Sequence, residues 1–191
     1  MQNNKQTNQL FYEKAINQFG ISPKGVHWKD EEAQYKRFEV IYKLIDNDFL
    51  DSKIIDAGCG FGDFYNFMEK NRLHCKHYIG IDSIEKMVDL ALTRFPHTDF
   101  RVIDILENQL PKADYYIASG SLNILNRELF YQFITNCFEA SNKGFVFNFL
   151  KKRSFNRLSI EEVVGFCSSL SSKVKTKNDY LDNDFTVFMK K

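Results

Sequence analysis

The stretch Ile54-Ile55-Asp56-Ala57-Gly58-Cys59-Gly60-Phe61-Gly62-Asp63 runs an apolar segment straight into three glycines at alternate positions. A short apolar run bounded by glycine predicts a buried strand. Phe61, Phe64, Tyr65 and Met68 then predict one apolar face of a helix. A strand that ends in glycines brings bare backbone up to a ligand, where a Cβ would collide. The helix behind it points unpaired N–H groups at the same spot. Such a junction holds a nucleotide-like cofactor.

The glycine spacing narrows the choice. A dinucleotide loop reads G-x-G-x-x-G. Counted from Gly58 and Gly60, its third glycine would stand at position 63, which is Asp63; the third glycine here is Gly62. Asp63 at the helix N-terminus and Asp56 before the first glycine make a poor seat for a pyrophosphate. A cofactor with a cationic amino group and no phosphate fits better, which describes S-adenosylmethionine (SAM).

The order acidic-x-G-x-G-x-G from Asp56 to Gly62 resembles motif I of the class I, Rossmann-like SAM-dependent methyltransferases. Three further strand ends extend the resemblance. Tyr78 to Ile81 ends in Asp82, twenty residues after Gly62; Phe100 to Ile103 ends in Asp104-Ile105; Ala113 to Ala118 ends in Ser119-Gly120. The resemblance implies that Asp56, Gly58, Cys59, Gly60 and Gly62 surround the methionine part of SAM. It places Asp82, with Ser83, at the ribose, and Asp104 with Ile105 at the adenine. Ser119 and Gly120 form the floor near the sulfonium, Met87 joins the cofactor contacts, and Arg37 reaches the methionine carboxylate. No catalytic base is assigned, and no metal is expected.

The implied fold is α/β: a doubly wound, mostly parallel seven-stranded sheet with an antiparallel C-terminal strand pair and an N-terminal helical lid. Residues 1–50 are expected to form the lid and 51–191 the core. Tyr12, Ala15, Ile16 and Phe19 predict a first helix, followed by a loop with Pro23, His27 and Trp28. Asp30, Glu31 and Glu32 open a second helix through Arg37, Phe38 and Ile41. Ser83 is expected to cap the helix with Ile84, Met87, Val88, Ala91, Leu92 and Phe95. Phe130 to Phe138 mark another, Lys143 to Leu150 a buried strand, and Ser159-x-x-Glu162 a capping box. Lys173 to Tyr180 and Phe185 to Lys190 close the sheet.

Composition bounds the partners. A net charge of +1 over 191 residues gives no global pull toward nucleic acid, which is not favoured as a partner. No apolar run reaches the ~18 residues of a membrane span, and Met1 to Gln9 carries no secretory h-region. Four widely spaced cysteines read as free thiols of a cytoplasmic protein. His74 and His77 flank a strand start and match no zinc spacing.

The acceptor leaves a fainter trace. Ser119-Gly120-Ser121-Leu122-Asn123 lacks the Asp/Asn-Pro-Pro-Tyr/Phe clamp with which many family members methylate exocyclic amines. A small-molecule acceptor is expected. Lys151-Lys152-Arg153 with Arg157 either attracts an anionic one or is a solvated loop, and Asn148 either enters the site or satisfies a backbone group. The rival readings are a non-catalytic SAM-binding scaffold and an NAD-linked oxidoreductase.

Overall fold

The computed structural model describes residues 31–152 and 156–191. The expected Tyr12 to Phe19 helix, the loop with His27 and Trp28, and Arg153 lie outside the described residues. Helix α1 (Glu31–Ile45) carries Glu31 and Glu32 in its first turn and Lys43 in its last, both favourable to its dipole. Phe38, Ile41 and Ile45 form its buried stripe, and a 3-10 turn (Asp46–Phe49) leads into β1 (Lys53–Ala57).

Helices and strands then alternate: α2 (Asp63–Lys70), β2 (His77–Asp82), α3 (Glu85–Arg94), β3 (Asp99–Val102), β4 (Ala113–Ser119), α4 (Arg127–Ala140), β5 (Ser141–Leu150), α5 (Ile160–Leu170), β6 (Lys173–Lys177) and β7 (Asp184–Lys190). The seven strands form one sheet in the order β3-β2-β1-β4-β5-β7-β6. The strands from β3 to β5 pair in parallel, and β7 runs antiparallel to both its neighbours, β5 and β6. The order reverses between β1 and β4, so the crevice of an open α/β sheet falls at their carboxyl ends.

Side chains alternate across the sheet. Ile54, Tyr78, Tyr115, Ile117, Val146 and Phe188 meet α1, α2 and α3 on one face. Ile55, Ile79, Ile81, Tyr116, Phe145, Phe147 and Val187 meet α4 and α5 on the other. Burial on both faces explains the nearly continuous apolar run of β5. The capping box of α5 is present, with Ser159 Oγ accepting from Glu162 N–H and the Glu162 carboxylate accepting from Ser159 N–H.

Phe38, Ile41, Ile45 and Phe49 share one cluster with Ile54 and Phe64, so α1 packs into the same core as the sheet. Some expectations change. Phe61 precedes α2 and packs on Met87, while Phe67 takes the buried place on the helix. Ser83 does not cap α3: Ile84 is the N-cap residue, and the Asp82 carboxylate accepts its N–H. Leu92 is exposed rather than part of the buried stripe. β6 ends at Lys177, earlier than the alternating pattern suggested.

Candidate cofactor site

The glycine loop is held open by its surroundings as much as by its own freedom. Gly58 and Gly62 have φ of +81° and +75°, which L side chains rarely adopt. A Cβ on Gly58 would lie 2.4 Å from Ser121 Cβ, and one on Gly62 would lie 2.8 Å from Phe100 Cζ. Both glycines are therefore needed for packing within the protein, in addition to any close approach of a ligand. Phe100 reaches Gly62 because Gly80 beneath it is bare: a Cβ there would stand 2.3 Å from the ring. A glycine inside an apolar strand is the one sequence signal that pointed to this crossing.

Two acids sit at adjacent strand ends. Asp56 is 3% exposed, and its Oδ2 accepts the Tyr78 hydroxyl at 2.8 Å. Burial pushes its carboxyl up to about 7, against the Tyr78 hydrogen bond and helped by Asp82 and Asp63. Asp82 is half-buried, and accepts Gly60 N–H on Oδ2 and Ile84 N–H on Oδ1, each at 3.0 Å. Desolvation raises its carboxyl as well, against three backbone N–H groups. Three donors on its two oxygens leave a lone pair for one more. Among the described residues, no Lys, Arg or His pairs with either acid within 4.0 Å.

Asp63 behaves differently. Its Oδ1 accepts Arg94 Nη1 at 2.7 Å, and the same nitrogen donates to Phe61 O at 2.6 Å. Its Oδ2 accepts Gln34 Nε2 at 3.1 Å. The loop acid is thus neutralised and ties α1 and α3 to the glycine turn, so its charge weighs little against a phosphate. Gln34 and Arg94 were not singled out as site residues, because their partner is 29 and 31 residues away.

The other expected residues divide. Met87 packs with Phe61 beside the loop, and Ser83 is exposed next to Asp82. Cys59 is buried, and burial pushes its thiol well up, so it is no nucleophile. Asp104 Oδ1 accepts Leu106 N–H at 3.0 Å, which turns the chain past β3. The Ile105 side chain is 5% exposed, inside the core against α4 and α5, leaving only its backbone for the adenine edge. Ser119 and Gly120 lie beside β1, because Ser121 donates to Ala57 O at 3.0 Å. Asn148 satisfies backbone, accepting Gly120 N–H at 2.9 Å. Arg37 is engaged elsewhere: its Nε and Nη2 donate to Asp184 in a buried fork.

A model of the methyltransferase domain matches residues 54–144, from β1 into β5. A protein named as methyltransferase 235L of Invertebrate iridescent virus 6 is 30% identical over 123 residues, 60% of this chain and 46% of its own. One from Mycolicibacterium smegmatis, named as SAM-dependent methyltransferase, is 26% identical over 118 residues, 62% and 45% of the two chains. The chain spans about half the length of these curated relatives. The N-methyltransferase NodS of Bradyrhizobium japonicum WM9, solved with S-adenosylhomocysteine (SAH), superposes with a TM-score of 0.74 at 16% identity, covering 95% of this chain and 97% of that one. Magnesium protoporphyrin IX methyltransferase of Synechocystis PCC 6803, also with SAH, gives 0.68 at 15% identity, covering 83% of each. At such identities the likeness is one of fold.

Proposed function

We propose that the chain is a class I, Rossmann-like SAM-dependent methyltransferase that transfers the methyl group of SAM to a small-molecule acceptor. The observation that carries this reading is a pair of carboxylates, buried Asp56 and half-buried Asp82, without a cationic partner among the described residues. Bringing unpaired negative charge together is costly. A ligand with an ammonium and a sulfonium relieves that cost, whereas a pyrophosphate adds to it.

In this reading Asp56 faces the ammonium through the Gly58–Gly62 turn, and the remaining lone pair of Asp82 accepts a ribose hydroxyl. Ser83 and Met87 flank that ribose, Asp104 and the Ile105 backbone border the adenine, and Ser119 with Gly120 forms the floor. Cys59 contributes its backbone. Arg37 acts through Asp184, setting α1 over the carboxyl edge rather than gripping the cofactor. SAM supplies an activated methyl group, so the protein's task is alignment with the acceptor and exclusion of water. The missing Pro-Pro clamp after β4 supports a small molecule over an exocyclic base amine. Lys151 and Lys152 follow β5 at the same edge, their N–H groups fixed by Asn183, and would favour an anionic acceptor. The four free cysteines fit a cytoplasmic protein. Among the described residues, no helix is long and apolar enough to cross a membrane.

Thermal unfolding with SAM, SAH and NADH added separately tests the cofactor. A ligand at a hundred times its dissociation constant adds about 2.7 kcal/mol, a rise of several degrees. SAM and SAH should each raise the midpoint and NADH should not. A shift with NADH alone would return the site to dinucleotides.

The Asp56 carboxyl gives a pH signature. With its carboxyl at about 7 in the fold, a proton must leave before the ammonium can pair. SAH affinity should therefore rise about eightfold from pH 6 to 7.5, a difference set by the fraction ionised. Without ligand the sign reverses, since a raised carboxyl stabilises the fold at low pH and that contribution is lost as pH climbs toward 7. Asp56→Asn should bind weakly with a flat profile. A titration series as steep in the variant as in the parent would discard this role.

A further inference from the structure

One buried side chain interrupts the apolar face of the sheet beneath its carboxyl edge. Within Phe145-Val146-Phe147-Asn148-Phe149 of β5, Asn148 is 1% exposed. Its register partners are Ser119 on β4 and Thr186 on β7, while the row two residues back on the same face is Ile117, Val146 and Phe188. A buried carboxamide is costly unless both ends are bonded. Here both ends go to the end of β4.

The direction of each bond is forced. Gly120 N–H can only donate, so the group 2.9 Å away must be Asn148 Oδ1. The amide nitrogen then faces Ser119 Oγ at 3.3 Å, and the hydroxyl accepts. The Ser119 hydrogen must point elsewhere, and among the described residues no acceptor is recorded for it. Ser119 is half-buried and stands one row beyond Asp56 and Ile117 on the same face. The turn it enters touches β1 directly, through Ser121 against Gly58 and Ala57 O.

Resting on the methyltransferase reading, we propose that Asn148 is a positioning residue that fixes the Ser119 hydroxyl as a hydrogen-bond donor at the methyl-transfer position. The site then takes an acceptor whose reacting atom keeps a second lone pair for the methyl group, an oxygen, and Ser119 draws no proton from it. The same hydrogen suits the neutral thioether of SAH better than the sulfonium of SAM.

The ratio of SAM to SAH dissociation constants, followed by titration calorimetry from pH 6 to 9, reads this orientation. The two ligands share the ammonium that meets Asp56 and differ only at sulfur. Ser119→Ala removes the facing hydrogen and should shift the ratio about threefold toward SAM, the scale of one hydrogen-bond dipole. Asn148→Asp makes the orientation titratable. As the neutral acid it repeats the asparagine pattern; ionised, it accepts from both Gly120 and Ser119 and turns the hydroxyl round. Its ratio should match the parent while the acid is neutral and move about tenfold toward SAM as it ionises, across whatever pH range that proton leaves. Adding Ser119→Ala to Asn148→Asp should at least halve that pH-dependent movement. An equal movement in the double variant would mean that charge alone acts, and would overturn the proposal. So would an unchanged ratio in Ser119→Ala, which decides the matter even where the Asn148→Asp variant fails to fold. A parent protein that binds neither ligand would sink the methyltransferase reading itself.

Discussion

Asp184→Ala should cost the fold about 3–5 kcal/mol, the range for removing one partner of a buried ion pair. Arg37 and Asp184 are 6% and 3% exposed, and they meet as a fork, Nε to Oδ1 at 2.5 Å and Nη2 to Oδ2 at 2.8 Å. Alanine removes this fork from a guanidinium that stays buried on α1. At roughly 2–4 °C per kcal/mol for a chain of this size, the melting midpoint falls on the order of 10 °C. Removing both charges with apolar residues of similar volume, Arg37→Met with Asp184→Leu, should recover most of the loss, because an intact buried pair is worth little over a well-packed apolar one. Urea unfolding of the two single variants and the double variant measures this coupling. A loss under about 1 kcal/mol for Asp184→Ala would show that water shares the pair, as at a surface bridge.

Gly58→Ala should have the largest effect on the cofactor, lowering SAM and SAH affinity by at least about a hundredfold. The left-handed backbone costs alanine about 1–2 kcal/mol, and the 2.4 Å approach to Ser121 Cβ adds an overpacking cost of about 1–3 kcal/mol. The loop escapes by moving, and the Asp82 bond to Gly60 N–H moves with it. Ser121→Gly added to Gly58→Ala should relieve the collision while leaving the backbone strain, giving a partial rescue of stability. Calorimetry with SAH and urea unfolding separate the two parts. Affinity within threefold of the parent would mean that the turn is not where the cofactor lies.

The sheet was readable because four of its parallel strands lead to a polar residue at the ligand edge. Asp56, Asp82, Asp104 and Ser119 mark those ends, and the Ser159 to Glu162 box is wholly local. What escaped depends on partners far along the chain. Arg37 was expected to meet a cofactor carboxylate, yet it meets a side-chain carboxylate 147 residues away. The glycines were expected to make room for a ligand, yet Gly58 and Gly62 first make room for Ser121 and Phe100. Asp63 reads as loose charge in the sequence, because its partners, Gln34 and Arg94, come to it only through the fold. Ser83 reads as a cap one residue too early, since the helix opens at Glu85 with Ile84 as its N-cap and no side-chain cap bond. Local periodicity reports which face is buried; it carries no information on which residue stands opposite.

The strand order has a consequence for synthesis. β7 lies between β5 and β6 although it follows both in the chain. During translation β6 leaves the ribosome with no strand to pair with, and β5 has one open edge until residues 184–190 emerge. Asp184 arrives with them, so the fork it makes with Arg37, 147 residues earlier, forms only at the end of that stretch of elongation. The nascent chain therefore carries the aromatic edge of β5 unpaired for that interval, an exposure that favours chaperone capture and closes only when β7 docks.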